Sequence, residues 1–351
     1  MNTPARAMCS FLFLLLVCLA PILSVPALAR DEWSEWQKRQ EPIFSGQYIA
    51  SDPTLIREVG LYRMFYTCFA IPKGAFDPDT VRATICEATS TDGLSWTEIP
   101  VDGQIKGLVF QGREEAWDQD IEGAFALKWK GNYLLYYSGY RHLDGYPAQG
   151  YPAALNVATS EDGVTFERVF DDPILSPTPG GYDNDAVYSP TIVEHNGELV
   201  MIYAGHCYTD CDYGYGVTLL AATSQDGLHW TKVSSPVMTG TEAGLEWTRD
   251  GVAEPGLVQG PDGRWYLFFT GLVDEERSIG LAVGDSPLGP WDVRPDPLFE
   301  PTPGGFDSAG DLAPFVFIED GTVRMWFLGM TPEEQIVIGY AEATWPLLKA
   351  E

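Results

Sequence analysis

Aligned on its glycine-containing turns, the chain places Asp52, Gly123, Ser189, Glu254 and Ala313 at one repeated position. Each stands just before a stretch that runs into a turn: Pro53 to Gly60, Ala124 to Gly131, Pro190 to Gly197, Pro255 onward with one extra residue, and Pro314 to Gly321. Two of the five are carboxylic acids and three are small. A purely structural role predicts similar residues at all five, so the asymmetry marks Asp52 and Glu254 as a functional pair. The competing reading is two solvated carboxylates at a channel mouth. Paired carboxyls can divide acid–base work: one protonates a leaving oxygen while the other activates water or attacks carbon. At neutral pH the donor must keep its proton, which burial and a nearby negative charge favour by raising its pKa.

Positioning such a pair requires a repeating scaffold, and the sequence carries one. Ala88-Thr89-Ser90-Thr91-Asp92-Gly93 returns as Ala158-Thr159-Ser160-Glu161-Asp162-Gly163 and as Ala222-Thr223-Ser224-Gln225-Asp226-Gly227. A degenerate copy runs from Ala282 to Trp291, and a fifth begins at Ala341. The spacing, about 60 to 70 residues, fits a propeller blade. Upstream of each copy lies an apolar, aromatic strand, Leu61 to Phe65 being the first. Turns such as Asn196-Gly197, Asp262-Gly263 and Asp320-Gly321 precede three of these strands and suit tight hairpins. The reading is an all-β, five-bladed β-propeller with four antiparallel strands per blade and no convincing helix. The last copy lacks a fourth strand, and Trp36 to Pro42 matches the missing one, so the N-terminal strand is expected to close the last blade. The recurrent turn aspartates are read as structural, as are the aromatic-Asp pairs Trp117-Asp118, Tyr182-Asp183 and Phe306-Asp307.

With the inner strands starting at the active face, the segments leading into them and the long connections of the first three repeats would form the rim. These carry Trp117, Tyr188, Trp247 and Arg249, then Tyr140, Arg141, His142, Tyr146 and Tyr151, then His206, Tyr208, Tyr213 and Tyr215. Aromatic faces suit the apolar faces of sugar rings; packing of a loop-rich rim is the plainer use of the same residues.

The Ser51-Asp52-Pro53-Thr54 and Ala253-Glu254-Pro255-Gly256 segments, set in a fivefold repeat, resemble glycoside hydrolase family 43 of arabinanases and β-xylosidases, and the related invertase-like propellers. The resemblance spans the chain from about residue 30. It implies Asp52 as general base, Glu254 as general acid, and a third aspartate before a proline in blade three that tunes the acid. That third position is Ser189 here, a departure from the family pattern. Asp185 and Asp120 are the expected substitutes among the catalytic acids. Glu122, Trp117, Tyr188, His206, Trp247 and Arg249 are the expected substrate contacts. No catalytic metal and no cofactor are required. A structural calcium held by Asp120, Glu122 and Asp185 is an alternative use of those acids. The implied activity is hydrolysis of furanosides, xylosides or plant-type oligo- and polysaccharides. The alternatives are a fructan- or sucrose-type hydrolase or transglycosylase, and a sugar-binding propeller without catalysis.

Composition narrows the partners and the compartment. With 21 basic and 50 acidic residues the net charge is -29, a field that repels phosphates and makes nucleic acid an unsuitable partner. Arg6, the apolar run from Phe11 to Leu19 and Ala27-Leu28-Ala29 read as a signal peptide over 1–29, leaving one propeller domain over 30–351. The expected product is secreted or periplasmic, free of the membrane after cleavage, and monomeric because a closed propeller leaves no sheet edge to pair. Cys68 is expected to pair with Cys86 and Cys207 with Cys211; the CxxC and HxxxH spacings of zinc sites are missing.

Overall fold

A computed structural model of the chain describes residues 32–70, 81–101, 104–141, 152–333 and 335–349. The expected signal segment and the rim residues His142, Tyr146 and Tyr151 lie outside them. The described part is all-β. Its helical content is one turn at Gly240–Ala243 and a 3-10 turn at Glu246–Thr248. Among the described residues no helix is long and apolar enough to cross a membrane.

The hairpin signals of the sequence produce repeated antiparallel sheets. Strands Ser51–Glu58, Leu61–Ala70, Arg82–Ser90 and Thr97–Glu98 pair in that order. The same order recurs in Asp120–Trp129, Asn132–Tyr140, Ala154–Ser160 and Glu167–Arg168. It recurs again in Ala186–His195, Glu198–Cys207, Gly216–Ser224 and Thr231–Lys232. Gly251–Gln259, Trp265–Val273, Glu276–Gly284 and Asp292–Val293 form a further set. Gly310–Glu319, Thr322–Met330 and Ile336–Thr344 follow, and their outer neighbour is Trp36–Lys38 from the other end of the chain, with Trp36 opposite Ala343. Lys38 anchors that strand through ion pairs to the buried Asp307 and, at 3.3 Å, to Asp311. The first strands of the sets contact one another in turn, and Gly310–Glu319 contacts Ser51–Glu58.

One local irregularity decides what these first strands present. In each, the pairing register slips: between Ser51 and Thr54, Glu122 and Phe125, Tyr188 and Thr191, Ala253 and Gly256, and Leu312 and Phe315. At each slip one residue has positive φ: Asp52 51°, Gly123 56°, Ser189 49°, Glu254 48° and Ala313 47°. These are the five positions that the sequence alignment superposes. A left-handed conformation costs a residue with a Cβ about 1–2 kcal/mol, and a β-bulge is where such a residue is held and its side chain re-aimed. The bulge also explains the prolines that follow at 53, 190, 255 and 314, because proline is tolerated inside a sheet only where the ladder is already interrupted.

The structural readings of the repeated motifs hold. Asp92, Asp162 and Asp226 each accept the N–H groups two and three residues ahead and the hydroxyl two residues behind. The buried Asp118 and Asp183 each pair with a cation of their set's outermost strand: Arg168 at 2.9 Å for Asp118, Lys232 for Asp183. The disulfides join Cys68 to Cys86 and Cys207 to Cys211.

Candidate active site

The bulges surround a cavity of about 390 Å³, a size typical of small-molecule sites. Asp52, Glu122 and Glu254 line it, together with Ser51, Gly123, Tyr188, Ser189, Asp185, His206 and Tyr208. Arg277 is its one lining cation among the described residues, and Leu272, Leu312, Leu328 and Ile336 supply an apolar side. A smaller space of about 40 Å³ continues from Asp52 and Glu254 between Pro53, Pro190, Pro255 and Pro314.

Asp52 and Glu254 are held by the same wiring. Thr67 on the second strand donates its hydroxyl to Asp52 Oδ2 at 3.1 Å and accepts the Gly123 N–H at 3.0 Å. Thr270 donates to Glu254 Oε2 at 2.6 Å and accepts the Ala313 N–H at 3.1 Å. The carboxylates also receive backbone N–H groups of the neighbouring bulge, Gly123 for Asp52 and Ala313 for Glu254. Ser51 completes the Asp52 shell at 3.0 Å. At the second repeat Ser138 accepts the Ser189 N–H at 3.1 Å, and the position of the acid in that set is Gly123. Thr67 and Thr270 were not singled out in the sequence. Their roles depend on cross-strand register, and the only sequence signal is a hydroxyl residue on the second strand, which pairs with the residue before each acid.

Burial dominates the titration of the cavity acids. It raises the Asp52 pKa against the opposing hydrogen bonds from Ser51, Thr67 and Gly123. Glu254 is pushed up to about 7 by burial and then by the Asp52 charge, while Thr270, Ala313 and Arg277 pull the other way. Glu122 reaches about 8 for the same two reasons, with its hydrogen bond from Tyr140, at 3.2 Å, opposing them. Burial lowers His206 to about 4, so it is neutral at neutral pH. Burial also acts to raise Asp185, but hydrogen bonds from Thr209 and the Tyr208 N–H outweigh it, and this carboxyl titrates below its ordinary range.

Not every expected site residue reaches the cavity. Asp120 is buried beside it and accepts the Ala83 N–H at 2.8 Å, tying two sheets together. Asp185 lines the cavity but spends its oxygens on the Tyr208–Thr209 backbone and the Thr209 hydroxyl. Trp117 and Trp247 turn away from the lining. Their indole N–H groups bond to Asp171 O at 2.8 Å and Pro295 O at 3.0 Å. Their rings lie over Gly139 and Gly271, where an added Cβ would meet Trp117 at 2.8 Å and Trp247 at 2.3 Å. Arg249, also outside the lining, pairs with Glu246, Asp250 and Asp274 on an exposed surface. Asp120, Trp117, Trp247 and Arg249 are thus not among the residues that line the cavity. Tyr188, His206 and Glu122 do line it. Arg277 was missed because it belongs to no motif; a lone basic residue at the start of a third strand was the only available sign.

Asp120, Glu122 and Asp185, the candidate calcium ligands, do not converge. The one close group of metal-ligating side chains among the described residues is Asp185 with Cys207 and Cys211, whose thiols are joined in the disulfide.

Comparison with known proteins agrees with this architecture. The profile of the Glycosyl hydrolases family 32 N-terminal domain matches residues 112–283. A solved glycoside hydrolase superposes with a TM-score of 0.67 at 18% identity, covering 89% of this chain and 91% of the other. A thermostable family-43 glycoside hydrolase superposes with a TM-score of 0.59 at 16% identity, covering 85% and 89%. The chain shares the fold of these glycoside hydrolases, and the family 32 profile covers just under half of it. The sucrose-6-phosphate hydrolase of Zymomonas mobilis is 31% identical over 118 residues, 33% of this chain and 21% of that enzyme. Two Mycobacterium tuberculosis proteins are 26% and 25% identical over 48% of the chain, and the chain spans about half of their length. The profile match falls in family 32, the invertase-like branch of the resemblance, while family 43 appears among the structural neighbours, where the likeness is one of fold.

Proposed function

We propose that the chain is a secreted or periplasmic glycosidase built on a closed five-bladed propeller, with Glu254 as general acid and Asp52 as its partner carboxylate. The carrying observation is that these two acids, on different sheets, line one cavity and share the same threonine-hydroxyl and neighbouring-bulge N–H wiring, with Glu254 poised at about 7. A group titrating there keeps its proton long enough to protonate a leaving oxygen and can return as a base. Asp52, whose shell of three donors opposes the upward pull of burial, activates water or attacks the anomeric carbon. Glu122 takes the third place that Ser189 leaves vacant: it is a neutral hydrogen-bond donor at neutral pH, and its ionisation is opposed by Asp52. Furanosides, xylosides or plant-type saccharides are the proposed substrates. The two disulfides support an oxidising, extracytoplasmic location.

A sucrose- or fructan-type reaction is the second reading, favoured by the family 32 profile match; there Asp52 would be the nucleophile. The test is hydrolysis of aryl arabinofuranosides, xylosides and galactosides, arabinan and sucrose by wild type, Asp52→Asn and Glu254→Gln. Loss of at least about 1,000-fold in kcat for both folded variants is expected. Activity that survives both substitutions would sink the site assignment. A glycosyl adduct trapped on Asp52 would select the second reading over direct attack by water.

A further inference from the structure

Among the described residues the cavity is lined by one cation, in a protein whose net charge is -29. Arg277 lies in the strand Glu276–Gly284 and is pinned from one side: its Nη1 donates to Asp274 O at 3.2 Å and Glu276 O at 2.9 Å. Among the described residues no hydrogen bond or ion pair engages its Nε–Nη2 edge. That contrasts with Arg63, Arg113, Arg168, Arg249 and Arg324, each of which meets a carboxylate within 3.0 Å. In an acid-rich chain, an arginine held by backbone carbonyls and given no side-chain anion is an unspent binding group. Its position is specific. Arg277 lines the larger cavity and not the inner space, while Asp52 and Glu254 border both. Its charge acts on Glu254 and on the Tyr208 phenol, so it stands near the acid and on the outer side of the pocket.

We propose that Arg277 is a specificity residue that receives the carboxylate of an acidic sugar, so that the saccharide bound in this cavity carries a uronic acid. The proposal deepens the glycosidase reading and rests on it for the role of the cavity. The Nε–Nη2 edge of guanidinium is one of the two that form paired hydrogen bonds with a planar carboxylate. A carboxylate also matches the charge available. A single guanidinium neutralises one negative charge, whereas a phosphate ester near neutral pH carries close to two and would face Asp52, Asp185 and Glu254 with its second charge uncompensated. Leu312, Leu328 and Ile336 leave the ring itself an apolar wall.

The experiment is a calorimetric titration of the full protein with glucuronate and galacturonate and with glucose and galactose. Glucose 6-phosphate is a further arm, and Arg277→Gln and Arg277→Lys are run in parallel. Wild type is expected to bind a uronate about 10- to 100-fold more tightly than its neutral counterpart. Arg277→Gln should erase that difference while changing neutral-sugar binding less than threefold. Arg277→Lys, which keeps the charge and loses the fork, should fall between. Equal affinity for acidic and neutral sugars, no uronate binding by wild type, or tighter binding of the phosphate ester lost in Arg277→Gln would each overturn the proposal. Binding is read without turnover, so an inactive protein that still prefers uronates would defeat the catalytic reading and leave this one standing. A matched melting temperature separates a misfolded variant from a specific loss.

Discussion

The aspartates of the outer turns and the acids of the central cavity are the same chemical group in opposite settings. Asp92, Asp162 and Asp226 sit at the surface and collect two backbone N–H groups and a hydroxyl each; hydrogen bonds to the backbone, with His229 leading for Asp226, hold their pKa values below the ordinary carboxylate range. Asp52, Glu122 and Glu254 also accept hydrogen bonds, yet all three titrate above that range because burial dominates, joined for Glu122 and Glu254 by the charge of Asp52. Donor groups are present in both places. What separates them is how much water remains to share the charge. Buried acids that meet a cation, such as Asp118 and Asp183, serve the scaffold; Asp52, Glu122 and Glu254 are buried without one within ion-pair distance among the described residues.

The sharpest way to break that comparison is to weaken the donor shell in the cavity. Thr270→Val removes a hydrogen bond that favours ionised Glu254, so the descending alkaline limb of the pH–rate profile should move upward from about 7. Thr67→Val should raise the Asp52 pKa and move the acidic limb upward instead. Each variant should cost about 1–2 kcal/mol of stability and roughly 10-fold or more in kcat, through the lost hydroxyl bridge and the misplaced acid. Limbs that stay in place would show that burial alone sets both pKa values.

Glu122→Gln gives a second, smaller test. A carboxyl whose folded pKa exceeds its unfolded value binds protons more tightly when folded, so its contribution to stability is lost as pH rises from the unfolded value of 4.5 towards about 8. The amide cannot ionise. The variant should therefore gain on wild type as pH rises, by on the order of 1 kcal/mol or more at pH 8 to 9, read as a widening difference in melting temperature. A constant difference between pH 5 and 9 would mean that Glu122 is not neutral in the native state. The smallest effect is expected at the surface: Asp226→Ala removes acceptors for Leu228, His229 and Ser224, should lower stability by about 1 kcal/mol, and should leave kcat/KM unchanged.

The legible parts of the sequence were those written in repetition. The turn aspartates, the hairpin glycines, the N-terminal strand that pairs with Ile336–Thr344, and the position shared by Asp52 and Glu254 all follow from superposing copies. Residues whose meaning depends on a neighbouring strand were not legible in this way. Thr67 and Thr270 become partners of the acids only through register, and Arg277 has no counterpart to align. The aromatic residues leading into the inner strands misled for a physical reason. Trp117 and Trp247 look like sugar platforms, but a glycine on the adjacent second strand opens a slot that draws each ring inward. Gly139 and Gly271 were the signals, and they act at a distance of 22 to 24 residues along the chain.

The five bulges have a consequence for how chemistry can change on this frame. Every first strand holds one residue at φ between 47° and 56°, and the backbone there is the same whether the side chain is Asp, Gly, Ser, Glu or Ala. The frame thus behaves as a board of equivalent sockets, each tolerant of its occupant and all opening towards one centre. Exchanging the occupant of one socket alters the charge at the centre, while the bulge that holds it recurs in all five sheets.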